Sequence, residues 1–127
     1  MKRILIVDDM QGWLNYNAQN VKELFNGDCE IITAASAREG YDKLLENNNT
    51  PFDIIITDLQ MEPDFEPKYA GEWLVEQIKT FKNYYKTKVI IISATYNINT
   101  IADNLGVYYI RKITARNTPE IYKEIIL

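Results

Sequence analysis

The stretch Arg3-Ile-Leu-Ile-Val-Asp8-Asp9 lies near the start of the chain, where consecutive apolar residues lead into two acids. A second stretch of the same kind, Phe52-Asp-Ile-Ile-Ile-Thr57-Asp58, also ends in an acid. Apolar residues at every position, rather than at alternate positions, are typical of strands that are covered on both faces, as in parallel sheets. The two stretches therefore predict buried strands with carboxylates at their carboxyl ends.

Three further apolar runs alternate with helix-like segments along the chain. The remaining predicted strands are Glu30–Thr33, Lys88–Ser93 and Val107–Ile110. Strict alternation of strands and helices predicts an α/β fold, with a doubly wound five-stranded parallel sheet and helices on both of its faces. Ligands bind such sheets outside the carboxyl ends of the strands, so the residues there are candidates for a functional site.

Five helices are predicted from apolar spacings of three and four and from local start and stop signals. Ser36-Ala-Arg-Glu39 has the pattern of a capping box that begins the second helix. The fourth helix, Asn97–Leu105, is short and is expected to end at Gly106, and Thr118-Pro119 marks the start of the last. The residues expected to face the core in the first three helices are Leu14, Ala18, Val21 and Phe25; Tyr41, Leu44 and Leu45; and Leu74, Ile78, Phe81 and Tyr85.

Length and composition restrict the class of protein. The 127 residues are expected to form one domain, residues 1–127, with the balance of apolar and charged residues of a soluble protein. The only cysteine, Cys29, has no partner for a disulfide, and without histidine it cannot anchor a zinc site. No apolar run reaches the length of a membrane span, and no signal peptide precedes the first strand, so a cytoplasmic protein is expected. The net charge of −4 argues against a nucleic-acid surface, although a small basic patch is compatible with it.

Five polar residues follow the predicted strands and would meet at one edge of the sheet. They are Asp8, Asp9, Asp58, Ser93 and Lys112. Each has an ordinary structural explanation by itself: Asp9 as a helix cap, Ser93 as a partner of a backbone group and Lys112 as a solvated surface residue. Their joint occurrence at strand ends is what indicates a site.

Charge repulsion among the three acids favours a bound cation. Two carboxylates about 5 Å apart repel each other by roughly 3 kcal/mol at an effective dielectric constant near 20. Carboxylates with room for water suit Mg²⁺, which also binds phosphate oxygens. A hydroxyl and an ammonium group at the same edge would bind the remaining phosphoryl oxygens. The residue types therefore predict phosphoryl transfer to a carboxylate.

The whole chain resembles the response-regulator receiver family. The resemblance lies in four motifs, which occur in the family's order: Ile-Leu-Ile-Val-Asp8-Asp9, Ile-Ile-Ile-Thr57-Asp58-Leu-Gln-Met61, Ile-Ile-Ser93-Ala94 and Tyr109-Ile-Arg-Lys112. It implies the flavodoxin-like fold with strand order 2-1-3-4-5.

The resemblance also implies a phosphoacceptor and a magnesium site. Asp58 would receive phosphoryl from a sensor histidine kinase. Asp9 would be the principal Mg²⁺ ligand, Asp8 would bind the ion mainly through water, and Asp58 and the backbone carbonyl of Gln60 would complete the ligands. The side chains of Gln60 and Thr95 would tune the lifetime of the phosphate.

The same resemblance implies how a signal would leave the site. Ser93 would swing toward the phosphoryl group, and Ala94 is the small neighbour that keeps the pocket open. Lys112 would pair with the phosphoryl group or with Asp58. Tyr109 would turn inward with Ser93 and change the face formed by the fourth helix, fifth strand and fifth helix, although by itself it is equally a half-buried strand residue.

Three departures from the family bear on that signal. The loop from Asp58 to Gly71 is longer than usual, with Pro63 displaced from its usual place beside the methionine; it is either a tolerated insertion or a partner-binding or lid element that presents Phe65 and Tyr69. Ile113 replaces a proline that is often cis, which removes a constraint on the loop that carries Lys112. The segment between Ser93 and Tyr109 is short, so a truncated fourth helix is expected.

These features favour a phosphoacceptor switch of a two-component phosphorelay over two other functions. The switch is not an enzyme with a separate substrate, since it catalyses only its own phosphorylation and dephosphorylation. The alternatives are a degenerate receiver that binds proteins independently of phosphorylation, and an Mg²⁺-dependent phosphohydrolase. The expected partners are a sensor histidine kinase or phosphotransfer protein, a downstream protein or output domain, and a second copy bound through the fourth helix, fifth strand and fifth helix; direct contact with nucleic acid or membrane is not expected.

Overall fold

The computed structural model describes residues 1–61 and 69–127. Pro63 and Phe65 of the long loop lie outside the described residues. The strands are β1 (Lys2–Val7), β2 (Cys29–Ala34), β3 (Ile54–Thr57), β4 (Lys88–Ser93) and β5 (Tyr108–Arg111). The helices are α1 (Gln11–Leu24), α2 (Ala37–Glu46), α3 (Ala70–Ile78), α4 (Ile98–Leu105), α5 (Lys112–Asn117) and α6 (Ile121–Ile126), with a 3₁₀ helix at Lys82–Tyr84.

The strands form one parallel sheet in the order β2-β1-β3-β4-β5, as predicted. Alternate residues of the buried strands supply two separate cores. In β1, Ile4 and Ile6 face α1, α5 and α6, whereas Leu5 and Val7 face α2, α3 and α4. This explains the continuous apolar runs of the sequence, because a strand with helices on both sides has no face left for polar residues.

Two of the local signals act as the sequence predicts. The Ser36 hydroxyl accepts a hydrogen bond from Glu39 N at 3.0 Å, and Glu39 Oε1 accepts one from Ala35 N at 3.0 Å. The two side chains thus bind backbone N–H groups at the start of α2 that have no partner within the helix. Gly106 follows α4 in the left-handed conformation, with φ of 70°. Glycine adopts that conformation without the strain that a β-carbon would cause.

The third helix is shorter than its periodicity predicted. It ends at Ile78, and the 3₁₀ turn that follows shifts the helical phase by one position. Tyr84 is therefore the buried residue and donates a hydrogen bond to the Leu44 carbonyl at 2.8 Å. Tyr85, which was expected in the core, is 78% exposed.

Three other expectations were wrong in detail. Leu45 is half exposed, since α2 faces the core with Ala37, Gly40 and Leu44 instead. The fifth strand lies one residue further along than predicted. The predicted last helix, after Thr118-Pro119, is α6, but a further helix that was not predicted, α5, begins at Lys112 directly after β5. In the described part of the chain, no helix has both the length and the apolar character needed to cross a bilayer.

The strand register brings the predicted site residues to one edge. Val7 of β1 lies beside Thr57 of β3, so Asp8 and Asp58 leave the sheet at the same level. Ser93 of β4 lies beside Arg111 of β5, which places Lys112 at the same edge. The first turn of α3 then packs against the end of β3, where Gly71 N donates to the Leu59 carbonyl at 2.9 Å.

Gly71 leaves no room for a side chain beside Asp58. A β-carbon at residue 71 would lie 1.8 Å from the Asp58 carbonyl oxygen, far inside van der Waals contact. We expect Gly71→Ala to lower the free energy of unfolding by at least about 1–3 kcal/mol, because α3 must move away from β3. Denaturant unfolding followed by circular dichroism measures this.

Gly12→Ala in α1 is the matched control, because a β-carbon there would meet no atom within 4 Å. Alanine at an open helical position is expected to be neutral or to stabilise by up to about 1 kcal/mol. Equal effects of the two substitutions would show that the contact with Asp58 is not the cause.

Candidate functional site

Three carboxylates meet at the carboxyl edge of the sheet. Asp8 and Asp58 are buried, with exposed fractions of 1% and 5%, whereas Asp9 is more exposed. One oxygen from each side chain lies within 4.8 Å of the others. Such hard oxygen donors, with one side open to water, fit a divalent cation such as Mg²⁺. The acids that the sequence placed at strand ends are therefore brought together as predicted.

Asp58 is held by contacts to both of its carboxylate oxygens. Oδ1 accepts a hydrogen bond from Leu59 N at 2.7 Å, and Oδ2 accepts one from Lys112 Nζ at 2.9 Å. The Thr57 hydroxyl donates to the Asp58 carbonyl at 2.9 Å and fixes the adjoining backbone. These contacts orient the carboxylate.

Lys112 is a buried cation between two acids. Its Nζ lies 3.0 Å from Asp8 Oδ2 as well as 2.9 Å from Asp58 Oδ2, and 5.0 Å from the centre of the Trp13 ring. Only 7% of Lys112 is exposed. It is fixed by these contacts although Ile113, and not a proline, follows it, and its place as the first residue of α5 gives it a regular backbone.

Asp8 is the carboxyl group whose protonation the site perturbs most clearly. Burial and the nearby negative charge of Asp58 raise the pKa of Asp8 to about 6, and the hydrogen bond from Met10 N and the charge of Lys112 oppose that rise. The ionised pocket is therefore unfavourable by itself, and additional positive charge would stabilise it.

Ser93 reaches the site edge with its hydroxyl bonded to Thr95. The two hydroxyl oxygens are 2.9 Å apart, and Thr95 N donates to Ser93 Oγ at 3.2 Å. Both residues are buried. Among the described residues, no hydrogen bond joins the Ser93 hydroxyl to Asp58 or Lys112. Thr95 was predicted from the family to tune the phosphate lifetime; its side chain faces Ser93, and that role stays a prediction.

The other predicted residues lie around this cluster. Ala94 and Gln60 are exposed at the rim, beside Ser93 and Asp58 respectively. Tyr109 is half-buried against the core that lies under α4, and the Arg111 guanidinium is 6.0 Å from its ring centre. The roles assigned to these residues, including the Gln60 carbonyl as a metal ligand and Tyr109 as a switch, stay predictions.

Two contributors escaped the sequence analysis. The sequence marks Gly71 only as the end of a loop, but it allows α3 to approach the Asp58 backbone. Trp13, which follows the acid pair in the sequence, has its ring centre 5.0 Å from Lys112 Nζ and 5.3 Å from the Arg116 guanidinium. The glycine at the start of a predicted helix is a signal that could have indicated the role of Gly71, whereas the position of Trp13 depends on how α1 and α5 pack.

Comparison with known proteins identifies the family. The family model of the response regulator receiver domain matches residues 4–120. The chain therefore belongs to the response regulator receiver domain family. A sequence search of curated proteins found no match.

Solved structures share the fold. A response regulator receiver domain protein from Clostridium thermocellum is 28% identical, with a TM-score of 0.66 over 88% of this chain and 82% of that one. The receiver domain of a DNA-binding response regulator from Colwellia psychrerythraea is 21% identical, with a TM-score of 0.76 over 99% and 96%. The complex of the CheA3 P1 domain with CheY6 from R. sphaeroides contains a chain that is 22% identical, with a TM-score of 0.68 over 98% and 96%.

The raised pKa of Asp8 predicts how the metal-free protein responds to pH. Because the folded-state value exceeds the ordinary 3.8, the stability gained from protonated Asp8 is complete below about pH 4 and is lost as pH rises through about 6. Asp8→Asn removes this loss, so at pH 8 we expect it to be more stable than the native protein by about 1–3 kcal/mol. Urea unfolding at pH 4, 6 and 8 with a chelator present measures the difference.

Most of that gain must disappear at pH 4, where Asp8 is protonated in the folded state and only about half ionised in the unfolded state. Asp28→Asn, at an exposed position, is the control for loss of one negative charge. A destabilised Asp8→Asn protein at pH 8 would show that the ion pair with Lys112 outweighs burial and the repulsion by Asp58.

The bond between Ser93 and Thr95 predicts a second effect. The role that the family resemblance implies for Ser93 would require its hydroxyl to leave Thr95 for a phosphoryl group on Asp58, and a hydrogen bond of this kind contributes about 0.5–1.5 kcal/mol. Thr95→Val keeps the shape of the side chain without its hydroxyl. We expect it to bind beryllofluoride, an analogue of the phosphoryl group, roughly two- to tenfold more tightly, as followed by Trp fluorescence with Mg²⁺ present.

Two companion variants separate this effect from a change in packing. Thr95→Ser retains the hydroxyl and should behave like the native protein. In a Ser93→Ala background, Thr95→Val should have no effect, since the bond is already absent. An equal effect of Thr95→Val with and without Ser93 would contradict the prediction.

Proposed function

We propose that this protein is a phosphoacceptor switch of a two-component phosphorelay, in which Asp58 receives a phosphoryl group with Mg²⁺ present. The observation that carries the proposal is the position of Asp58, between the carboxylates of Asp8 and Asp9 and the ammonium group of Lys112. In this arrangement the charge of a phosphoryl group transferred to Asp58 would be neutralised from two sides.

The chemistry is a transfer between two phosphoryl carriers. A carboxylate oxygen of Asp58 attacks the phosphorus, the bond from phosphorus to the donor breaks, and an acyl phosphate forms. Asp8, Asp9, Asp58 and the Gln60 carbonyl would hold the Mg²⁺, which supplies positive charge to the phosphoryl oxygens. Lys112 Nζ contacts Asp58 Oδ2 and would bind a negatively charged oxygen of the phosphoryl group once it is transferred.

Ser93 would carry the event out of the site. Its hydroxyl would exchange Thr95 for a phosphoryl oxygen, and the connection between β4 and α4 would move with it. Tyr109 on β5 lies against the same core as α4, so an inward turn of its ring would change the outer surface of α4 and β5. That surface would contact a downstream protein, an output domain or a second copy of the chain.

The phosphoryl donor would be a sensor histidine kinase or a phosphotransfer protein. Members of the receiver family interact with such domains, and CheY6 is in complex with the P1 domain of CheA3 in the structure described above. The protein would turn over no separate substrate, because it catalyses only the formation and hydrolysis of its own acyl phosphate. The complete set of acids, Ser93 and Lys112 disfavours a degenerate receiver that works only as a binding module.

Acetyl phosphate tests the proposal directly. We expect intact-mass spectrometry to show a single phosphoryl adduct that requires Mg²⁺, survives acid and is lost in base. Asp58→Asn should abolish it, and Asp28→Asn, which changes an exposed aspartate far from the site, should leave it unchanged.

The alternatives give different results in the same experiment. No adduct in the native protein, with Mg²⁺ present, would overturn the proposal and favour a phosphorylation-independent binding module. Rapid hydrolysis of many phosphate esters without a stable adduct would favour a phosphohydrolase.

A further inference from the structure

A lysine-rich segment lies at the end of the sheet opposite Asp58. Residues 79–88, Lys-Thr-Phe-Lys-Asn-Tyr-Tyr-Lys-Thr-Lys, contain four lysines and no acid, in a chain whose net charge is −4. The segment connects α3 to β4 and includes the 3₁₀ helix. Because β4 is six residues long, its first residue lies roughly 17 Å from its last at about 3.3 Å per residue, so this segment is remote from the phosphoacceptor.

The segment borders a concave groove of about 550 Å³. Three of the lysines line it, and none of the lining residues is acidic. The lining residues come from three parts of the fold: residues 78–82, residues 84–85 and 87–89, and residues 106–108. The groove is thus formed where the end of α3, the start of β4 and the start of β5 meet.

The lysines of this segment are not neutralised within the described part of the chain. Lys79, Lys82 and Lys86 are exposed, and none of the four lysines forms an ion pair with a described carboxylate. Arg3, by contrast, pairs with Glu30 at 2.9 Å. The positive charge is therefore available to an acidic ligand.

Two exposed tyrosines give the groove apolar contact area. Tyr85 is 78% exposed and Tyr108 is 53% exposed. Lys88 Nζ is held 4.6 Å from the centre of the Tyr108 ring and donates to the Ile126 carbonyl at 3.2 Å, so this cation has a fixed position. Exposed aromatic rings are enriched in surfaces that bind proteins.

We propose that this groove binds an acidic peptide segment of a partner protein. A short peptide can place a few carboxylates on Lys79 and Lys82 and an apolar side chain against Tyr85 or Tyr108, all within the groove. A long polyanion such as nucleic acid would extend beyond the groove onto the rest of this protein, whose net charge is negative. Because charges are screened beyond roughly 8 Å at physiological salt, the lysines of the groove would not attract the parts of the polyanion that lie outside it. Charge complementarity therefore favours the peptide.

Binding at this end would leave the phosphoacceptor open. The groove shares no residue with the Asp58 site, so a partner could remain bound while Asp58 exchanges phosphoryl groups. The groove would then localise the protein or its output while Asp58 exchanges phosphoryl groups, and through Gly106 and Tyr108 it adjoins the surface of α4 and β5.

The test uses the full chain labelled with ¹⁵N and the peptide acetyl-Glu-Phe-Glu-Glu-Leu-Glu-amide. We expect amide shifts in residues 79–88 and 106–108, a Kd on the order of 100 μM at low salt, and at least fivefold weaker binding at 150 mM salt. The same peptide with glutamine in place of glutamate should bind at least tenfold more weakly.

Matched charge reversals locate the binding site. Lys79→Glu with Lys82→Glu should weaken binding more than tenfold, whereas Lys2→Glu with Lys22→Glu, at exposed positions elsewhere, should weaken it less than twofold. Both variants should accept phosphoryl from acetyl phosphate as the native protein does, which separates failure of this proposal from failure of the proposed phosphoacceptor function.

Three results would overturn the proposal. They are the absence of shifts in the groove, equal weakening by the two pairs of reversals, and tighter binding of a twelve-nucleotide thymidine strand than of the peptide at 150 mM salt. The last result would identify the groove as a nucleic-acid surface.

Discussion

The contact of one buried ammonium group with two buried carboxylates organises this protein. Lys112 Nζ lies about equally far from Asp8 and Asp58, at 3.0 and 2.9 Å. Without that cation, two desolvated negative charges would face each other at the edge of the sheet, at a cost of several kcal/mol per ion. The contact joins the ends of β1, β3 and β5, which are far apart in sequence, and it is made where the order of the strands reverses around β1 and β3.

One cation does not neutralise three acids. The raised pKa of Asp8 shows that burial and repulsion still outweigh the attraction of Lys112 for that group. Because the negative charges of the three acids exceed the positive charge of Lys112, the pocket would bind a further cation. A cation-dependent phosphoryl acceptor requires this property. Stability and function are therefore opposed at this edge, and the surrounding parallel sheet with its two apolar cores provides the stability that the acids remove.

The two ends of the sheet differ in chemistry. The carboxyl end holds the acids and the buried lysine, and the amino end of β4 holds exposed lysines and tyrosines around a groove. On our two proposals, a phosphoryl donor would bind at the first end and an acidic peptide at the second, so that neither would obstruct the other.

The sequence by itself determined the order of the elements, the sheet and the meeting of the acids. Continuous apolar runs require strands covered on both faces, and parallel strands bring their carboxyl ends to one edge, so the convergence of Asp8, Asp58 and Lys112 follows from topology alone. The capping box at Ser36 and the left-handed Gly106 were also readable, because a cap depends on residues within one turn.

Only the tertiary structure decided the features that depend on distances between segments. The end of α3 at Ile78 and the exposure of Tyr85 follow from the packing of Tyr84 on α2, which helical periodicity does not contain. The fixed place of Lys112 depends on Asp8, Asp58 and the Trp13 ring, and the bond of Ser93 to Thr95 depends on how the backbone turns after β4. The physical reason is the same in each case: local patterns select elements, but the contacts among side chains are set by how those elements pack.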